Sequence, residues 1–301
     1  LKYAHLPLKQ ITTHKGPDRS PTWSPDGKEI AYRTSLHPEK LWYDTDHLAV
    51  ISARGGNPNV LTESYDRFIF APQFSPDGKS ILALVDDGGD GVLVRFNAGN
   101  GARTNISAPD ITVNSFVAGK DGIIAAIQTT HDQPREVFVY NGGKPSRISK
   151  LNDDVLKGVK LGDVKRLKVK GWNGDMVESF VYYPPGYKAG KRYPTLFDLH
   201  GGPVSQNDSA FDDMGQLYAA EGYIAVLPNP HGSTGYGHHF TYALNRQWGV
   251  PDFADIDAIA DHLVDEGIAH PDKLGVGGWS YGGILTNYVI TKSTRFAGAV
   301  T

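Results

Sequence analysis

A serine with a glycine two residues away on each side is the strongest chemical signal in this sequence. Gly278, Ser280 and Gly282 stand in the run GVGGWSYGGILTN, between an apolar strand-like segment and a helix-like segment. On so sharp a strand-to-helix turn the serine is presented outward, and the small flanking residues let neighbouring backbone pass close by. The following helix directs its amides and its positive dipole end toward charge near the serine. The pattern predicts that Ser280 is a nucleophile for acyl transfer.

A second glycine cluster supplies a candidate oxyanion hole. His200-Gly201-Gly202-Pro203 directly follows the apolar segment TLFDL. Backbone amides on such a loop, together with the amide of Tyr281, can hold the oxyanion of an acyl-transfer intermediate. The alternative is that both glycine clusters are tight turns of an inert sheet. Nucleophile, oxyanion hole and base suffice for acyl transfer, so no metal or organic cofactor is predicted.

The elements around these clusters follow an α/β pattern. After about residue 160, an alternating hairpin with a turn at Asn173-Gly174 leads into apolar strands that alternate with helical segments. The helix at 252–267 is the clearest, because its apolar residues share one face and Gly267 is placed to end it. We predict strands at TLFDL, YIAVLPNP, KLGVGG and FAGAV, and helices at MGQLYAAEG and YGGILTNYVITKS.

Residues 1–155 follow a different pattern of short alternating strands. PTWSPDGKEIAYRTS at 21–35 recurs as PQFSPDGKSILALVDD at 72–87, with a weaker third copy from Ser115. Closing pairs at Leu61-Thr62, Ile106-Ser107 and Ile148-Ser149 recur at the spacing of four-stranded propeller blades, and Ile11-Thr12 matches an earlier closing strand. We predict a partial β-propeller of about three blades over 1–155 and part of an α/β-hydrolase fold over 156–301. An irregular β-sandwich that reuses SPDGK is the alternative.

Composition narrows the class of protein. The chain has 301 residues, no cysteine and a net charge of -3, without the basic patch of a nucleic-acid-binding protein. No apolar run approaches the roughly 18 residues that span a bilayer, and the first sixteen residues lack a signal-peptide pattern. We therefore expect neither nucleic acid nor a membrane as a partner. The cytoplasm and the periplasm both stay open, as does the oligomeric state.

Taken together, the motifs resemble the prolyl oligopeptidase family of serine peptidases, nearest its acylaminoacyl-peptidase and dipeptidyl-peptidase-like branch. They are the SPDGK turns, the entry hairpin ending in VESFVYYPPGY, HGGP, NPHGSTGYG, Gln247-Trp248-Gly249 and GWSYGG. The resemblance implies that Ser280 is the nucleophile, that the amides of Gly202 and Tyr281 bind the oxyanion, and that the substrate is a short peptide. One departure is His231, where the family usually has arginine. This puts in doubt the ion pair that the arginine makes.

The rest of a catalytic triad is missing after the serine. In α/β-hydrolases the acid and the histidine follow the serine, yet residues 281–301 contain no Asp, Glu or His. We do not expect His200, His238 or His239 to replace the base, and we interpret His262 as part of a solvated acidic helix face rather than a metal site. The chain is therefore predicted to be an internal fragment of a peptidase, inactive alone. A non-catalytic binding module built on the propeller, and an esterase, are the alternatives.

Overall fold

A computed structural model describes residues 8–142 and 144–301 of the chain. The first seven residues, which belong to the segment tested above for a signal peptide, lie outside this description. Within the described ranges, no helix combines the length and the apolar character that crossing a bilayer requires.

Twelve short strands build the described part of the first half. They are β1 (Asp18–Trp23), β2 (Glu29–Ser35), β3 (Asp46–Ser52), β4 (Asn59–Val60), β5 (Ile69–Phe74), β6 (Ser80–Asp87), β7 (Asp90–Asn97), β8 (Arg103–Asn105), β9 (Thr112–Ala118), β10 (Ile124–Thr130), β11 (Gln133–Tyr140) and β12 (Ser146–Arg147). The first four form one antiparallel sheet in chain order. The other eight form a second sheet, in which the two groups of four meet through a single parallel pairing between Gly91 and Thr112.

The repeated SPDGK segments are tight turns between the first two strands of a group. Gly27 and Gly78 have φ of +69° and +70°, a conformation that favours glycine, and each donates its N–H to the carbonyl of the serine three residues before it. Asp26 and Asp77 each accept the backbone N–H two residues on at 3.1 Å. Each SPDGK segment is therefore closed by the same pair of hydrogen bonds.

The recurring closing pairs have a shared structural cause. The hydroxyls of Thr62, Ser107 and Ser149 each accept a backbone N–H from the third strand of their own group, at 2.8–2.9 Å. The preceding residues, Leu61, Ile106 and Ile148, each donate an N–H back to that same strand. A hydroxyl residue at this position therefore finishes each group where regular pairing stops.

The strand expected at Ile11-Thr12 is wrong. Residues 8–17 form no strand in the structure. Ile11 instead packs its side chain against the apolar cluster of Tyr32, Ala49 and Ile51. The apolar residue is used for packing on the sheet rather than for strand pairing.

The second half is a mixed sheet with helices. Its elements are α1 (Asp153–Leu156), β13 (Asp163–Lys170), β14 (Met176–Tyr183), β15 (Tyr193–Leu199), α2 (Asp213–Ala220), β16 (Ile224–Asn229), α3 (His238–Tyr242), α4 (Pro251–Asp265), β17 (Ala269–Gly278), α5 (Tyr281–Lys292) and β18 (Phe296–Val300). The sheet order is β13-β14-β16-β15-β17-β18, with antiparallel pairing up to β16 and parallel pairing from there on. The predicted α/β pattern is confirmed.

The core of this half lies between the sheet and its helices. Helix α4 buries Ile256, Ile259, Ala260 and Leu263 against strand residues that include Phe197 and Val276. Pro251 occupies the first turn, where its missing N–H costs nothing, and Gly267 follows the end with φ +71°. The apolar face predicted for this helix is the face it buries.

Polar contacts join the two halves at the tip of the β6–β7 hairpin. Arg166 of β13 bonds the Gly88 carbonyl at 2.5 Å and forms an ion pair with Asp90. Gly88 donates its N–H to the Gly235 carbonyl at 2.9 Å, and Asp86 accepts the Thr234 hydroxyl at 2.7 Å. The hairpin tip is therefore fixed directly to the loops at one end of the mixed sheet.

Candidate functional site

Two loops that are distant in sequence meet at the carboxyl end of the parallel strands. Strand β15 ends at Leu199 and β17 at Gly278, and these two residues are register partners. The His200-Gly201-Gly202 segment and the Trp279-Ser280 turn therefore leave the sheet side by side. This edge is where open α/β sheets place their ligands.

Ser280 occupies the strained turn that the sequence predicts. Its backbone has φ +58° and ψ −121°, it immediately precedes helix α5, and the residue is exposed. A non-glycine residue in so sparsely populated a conformation costs on the order of 1–3 kcal/mol and persists only where its surroundings enforce it. The turn leaves Ser280 exposed to solvent.

Gly278 and Gly282 must be glycine because the backbone of Leu199 lies very close to both. A Cβ on Gly278 would stand 2.5 Å from the Leu199 oxygen, and one on Gly282 would overlap that same oxygen and lie 2.8 Å from the Leu199 carbonyl carbon. Both glycines thus let the turn pass over the end of β15. Any side chain at either position would push the turn away from that strand.

The candidate oxyanion loop lies directly against the serine. A Cβ placed on Gly201 would be 3.3 Å from the Ser280 Cβ. Gly202, with φ +129°, is in a conformation that favours glycine. Within residues 8–142 and 144–301, neither the Gly202 amide nor the Tyr281 amide donates to another protein group. Both N–H groups are therefore available to an oxygen bound beside Ser280.

His200 holds this loop instead of activating the serine. Its Nδ1 lies 2.7 Å from the Gly201 carbonyl oxygen, and its Nε2 lies 2.9 Å from the Ser233 hydroxyl oxygen. Burial lowers the pKa of His200, so the ring stays neutral. Both ring nitrogens are occupied by groups other than Ser280.

The other histidines considered from the sequence also lie elsewhere. His238 donates from Nδ1 to the Tyr43 carbonyl at 3.1 Å, and His239 is exposed, with Nε2 3.7 Å from Asp175. In the part of the chain that the structure describes, no imidazole is hydrogen-bonded to Ser280.

A buried hydrogen bond behind the serine was not foreseen from the sequence. The Tyr281 hydroxyl donates to Asp252 at 2.6 Å, and Asp252 is fully buried. Burial raises the pKa of Asp252 to about 6, against the opposing effect of the Tyr281 hydrogen bond. The Tyr281 ring also packs edge-on against Trp248, whose indole N–H donates to the Tyr43 hydroxyl at 2.8 Å. The segment from Trp248 to Asp252 thus holds the side chain that follows the nucleophile, and Tyr43 in turn supports Trp248.

His231 retains a charge pair at the position where arginine is usual. Its Nδ1 lies 2.7 Å from Asp255 and its Nε2 lies 3.2 Å from Asp175, with the ring fully buried. Burial opposes the charged form, but the hydrogen bonds to the two carboxylates outweigh it and raise the pKa of His231. Asp255 also accepts the Trp172 backbone N–H at 2.8 Å. The pair therefore ties the β13–β14 hairpin to helix α4.

The chain has recognisable similarity to known proteins. Residues 209–301 match the sequence model of the Prolyl oligopeptidase family. Dipeptidyl-peptidase 5 of Trichophyton schoenleinii is 29% identical over 289 residues, which cover 91% of this chain and 39% of that protein. The chain thus spans about two fifths of the length of such curated relatives.

Solved structures show the same fold. An acylaminoacyl peptidase, in complex with Z-Gly-Gly-Phe-chloromethyl ketone, superposes with a TM-score of 0.84 at 22% identity over 96% of this chain and 44% of that one. The acylaminoacyl peptidase of Pyrococcus horikoshii gives a TM-score of 0.83 at 22% identity, over 94% of this chain and 44% of that one. The resemblance stated from the motifs is confirmed.

Proposed function

We propose, from the premise that residues 209–301 belong to the prolyl oligopeptidase family, that this chain carries the nucleophile and oxyanion hole of a serine peptidase acting on short peptides. The observation that carries the proposal is the backbone of Ser280, held at φ +58° beside a glycine loop with available amides. Such a turn has a cost in stability, and presenting a reactive hydroxyl is what accounts for that cost.

The chemistry is acyl transfer in two steps. The Ser280 Oγ attacks the scissile carbonyl carbon and gives up its proton to a base, while the amides of Gly202 and Tyr281 donate to the new oxyanion. Collapse expels the amine, which takes up that proton, and leaves an acyl ester on Ser280. Water then hydrolyses the ester by the reverse sequence of proton transfers. Loss of one oxyanion donor typically removes about 2.7–4 kcal/mol of transition-state stabilisation.

The base is the component that this chain does not offer. Residues 281–301 contain no Asp, Glu or His, and His200 is engaged with Gly201 and Ser233. We therefore propose that the catalytic histidine and aspartate are not among these 301 residues. The chain alone then gives no appreciable turnover.

The antiparallel groups of the first half fit a matching role. Each of the three groups has four strands and ends in the same hydroxyl-capped pair. We propose that residues 1–155 are part of a β-propeller that restricts access to the active site, and that residues 156–301 are part of the peptidase domain.

Fluorophosphonate labelling with peptide mapping tests the nucleophile. We expect a slow phosphonyl adduct on Ser280 in preference to every other serine, and no adduct at that position in Ser280→Ala. An adduct spread over several serines, unchanged by the substitution, would refute the assignment. Rapid labelling of Ser280 would instead refute the proposed lack of a base.

A further inference from the structure

A pocket of about 370 Å³ lies where the segment before β3 meets the loop before α4. Aromatic side chains make up most of its wall, and neither Ser280 nor the glycine loop lines it. The lining residues are Leu41, Trp42, Tyr43, Asn245, Arg246, Trp248 and Tyr288. Ligand pockets in proteins measure roughly 300–1,000 Å³, so this one suits a ligand about the size of one amino-acid residue.

The aromatic wall is open to solvent. Trp42 is 58% exposed, and its neighbour Leu41 is 62% exposed. Large apolar side chains that are exposed together mark binding surfaces. The indole N–H of Trp248 donates to the Tyr43 hydroxyl at 2.8 Å, which joins the part of the wall from the first half to the part from the second. The pocket therefore offers a preformed surface for a planar ring.

Two polar side chains at this pocket have no protein partner. Other arginines form close ion pairs, such as Arg67 with Asp87 at 2.6 Å. Within residues 8–142 and 144–301, no carboxylate lies within 4.0 Å of the Arg246 guanidinium, and the side-chain amide of Asn245 forms no hydrogen bond. A guanidinium matches both oxygens of a carboxylate, and a side-chain amide matches a peptide group.

The backbone holds one lining residue from each half in a costly conformation. Leu41 has φ +57° and Arg246 has φ +60°, in the region that favours glycine. Non-glycine residues stay in this region only where their surroundings enforce it, and such residues cluster at binding sites. The strain at Leu41 and Arg246 thus supports a ligand site at the junction of the two halves.

We propose that this pocket binds the carboxyl-terminal aromatic residue of a peptide. Its carboxylate pairs with Arg246, its ring packs against Trp42 and Tyr288, and its amide bonds Asn245. A free aromatic acid would leave the Asn245 amide unmatched, and a purely apolar ligand would leave both polar side chains unmatched. The inference goes beyond the proposed chemistry at Ser280, because it assigns a second binding site.

The pocket borders the support of the nucleophile turn. Trp248 packs edge-on against Tyr281, with ring centroids 4.9 Å apart. A ligand that contacts Trp248 is therefore one side chain away from the residue that follows Ser280. The bound residue would be held beside the turn without occupying it.

Calorimetric titration with four small probes tests the three matches separately. The reference probe is N-acetyl-L-phenylalanine, which carries the carboxylate, the ring and the amide. Its primary carboxamide lacks the charge, N-acetylglycine lacks the ring, and 3-phenylpropanoate lacks the amide. We expect N-acetyl-L-phenylalanine to bind at least fivefold more tightly than each of the other three.

Arg246→Gln removes the charge from the pocket, with Arg135→Gln as its matched control. Arg135 is an exposed arginine of β11 that, in the described ranges, also has no ion pair. We expect Arg246→Gln to bind the acid and the carboxamide equally and Arg135→Gln to keep the fivefold difference. Trp42→Ala, at a largely exposed position, should weaken binding of N-acetyl-L-phenylalanine and leave that of N-acetylglycine unchanged.

Three results would overturn the inference. Equal affinity of the wild type for the acid and the carboxamide, or no binding of either, would remove the carboxylate site even if Arg246→Gln failed to fold. Loss of the difference in Arg135→Gln as well would show a general effect of net charge. Binding of 3-phenylpropanoate as tight as that of N-acetyl-L-phenylalanine would assign the pocket to free aromatic acids. None of these measurements involves modification of Ser280, so failure here is distinct from failure of the proposed function.

Discussion

Replacing Gly282 by alanine tests whether contact with the end of β15 holds the nucleophile turn in place. The new Cβ would overlap the Leu199 oxygen and lie 2.8 Å from its carbonyl carbon, both of them backbone atoms of a central strand. Relief requires helix α5 to move by about 1.5 Å or more to bring that Cβ to an ordinary contact distance from the Leu199 oxygen. Overpacking of this kind typically costs about 1–3 kcal/mol.

Gly283 provides a matched control in the same turn of the same helix. A Cβ there meets the Gly278 oxygen at 3.3 Å, which a shift of a few tenths of an ångström relieves. Both substitutions gain up to about 1 kcal/mol of helix propensity, so that gain cancels in the comparison. Gly282→Ala should therefore be less stable than Gly283→Ala by about 1–3 kcal/mol.

Thermal unfolding followed by circular dichroism measures the difference. At roughly 2–4 °C per kcal/mol for a chain of this size, Gly282→Ala should melt several degrees below Gly283→Ala. Equal melting temperatures for the two variants would refute the reasoning, because they would mean that the turn does not depend on its approach to Leu199.

Three further perturbations probe the groups around this turn. Ser280→Gly should melt at a higher temperature than Ser280→Ala, because both remove the hydroxyl but only glycine adopts φ +58° without strain. The net gain in stability is about 1 kcal/mol, once the larger conformational entropy of glycine in the unfolded chain is subtracted. Equal melting temperatures would contradict the strain. Because the pKa of Asp252 is raised, the folded state binds more protons than the unfolded state between pH 4 and 6. The stability of the wild type should therefore fall relative to Asp252→Asn as the pH rises through that window, by on the order of 2–3 kcal/mol in urea titrations. A constant difference would show that Asp252 titrates normally. The raised pKa of His231 has the opposite consequence, because its stabilisation is complete below about pH 6.5 and is lost as the pH rises through the folded-state pKa. The advantage of the wild type over His231→Gln in the same titrations should therefore shrink with increasing pH, and an advantage that grows would exclude a charged His231.

The sequence predicts those parts of the site that local chain geometry determines. The nucleophile turn depends on residues within two positions of Ser280, and its strand and helix have clear patterns on either side. The closing pairs of the first half are likewise recognisable in the sequence as a repeat. Local rules of turn and strand formation were sufficient in both cases.

Long-range partners could not be predicted in this way. Asp252 and Tyr281 are 29 residues apart, and Tyr43 and Trp248 are 205 apart, so no periodicity relates either pair. The partners of His231 illustrate the same limit, because replacing arginine by histidine signals a change of charge chemistry but does not identify Asp175 and Asp255.

The contacts between the β6–β7 hairpin and the mixed sheet have a consequence for how the chain behaves when cut. Arg166 bridges to Gly88 and Asp90, Thr234 to Asp86, and Trp248 to Tyr43, so the halves are attached at points other than the peptide segment that connects them. A protease that nicks the exposed stretch at 157–160 would therefore leave two pieces that remain associated and copurify. The connecting segment joins the two halves covalently, whereas the contacts of the hairpin tip hold the halves in their relative positions.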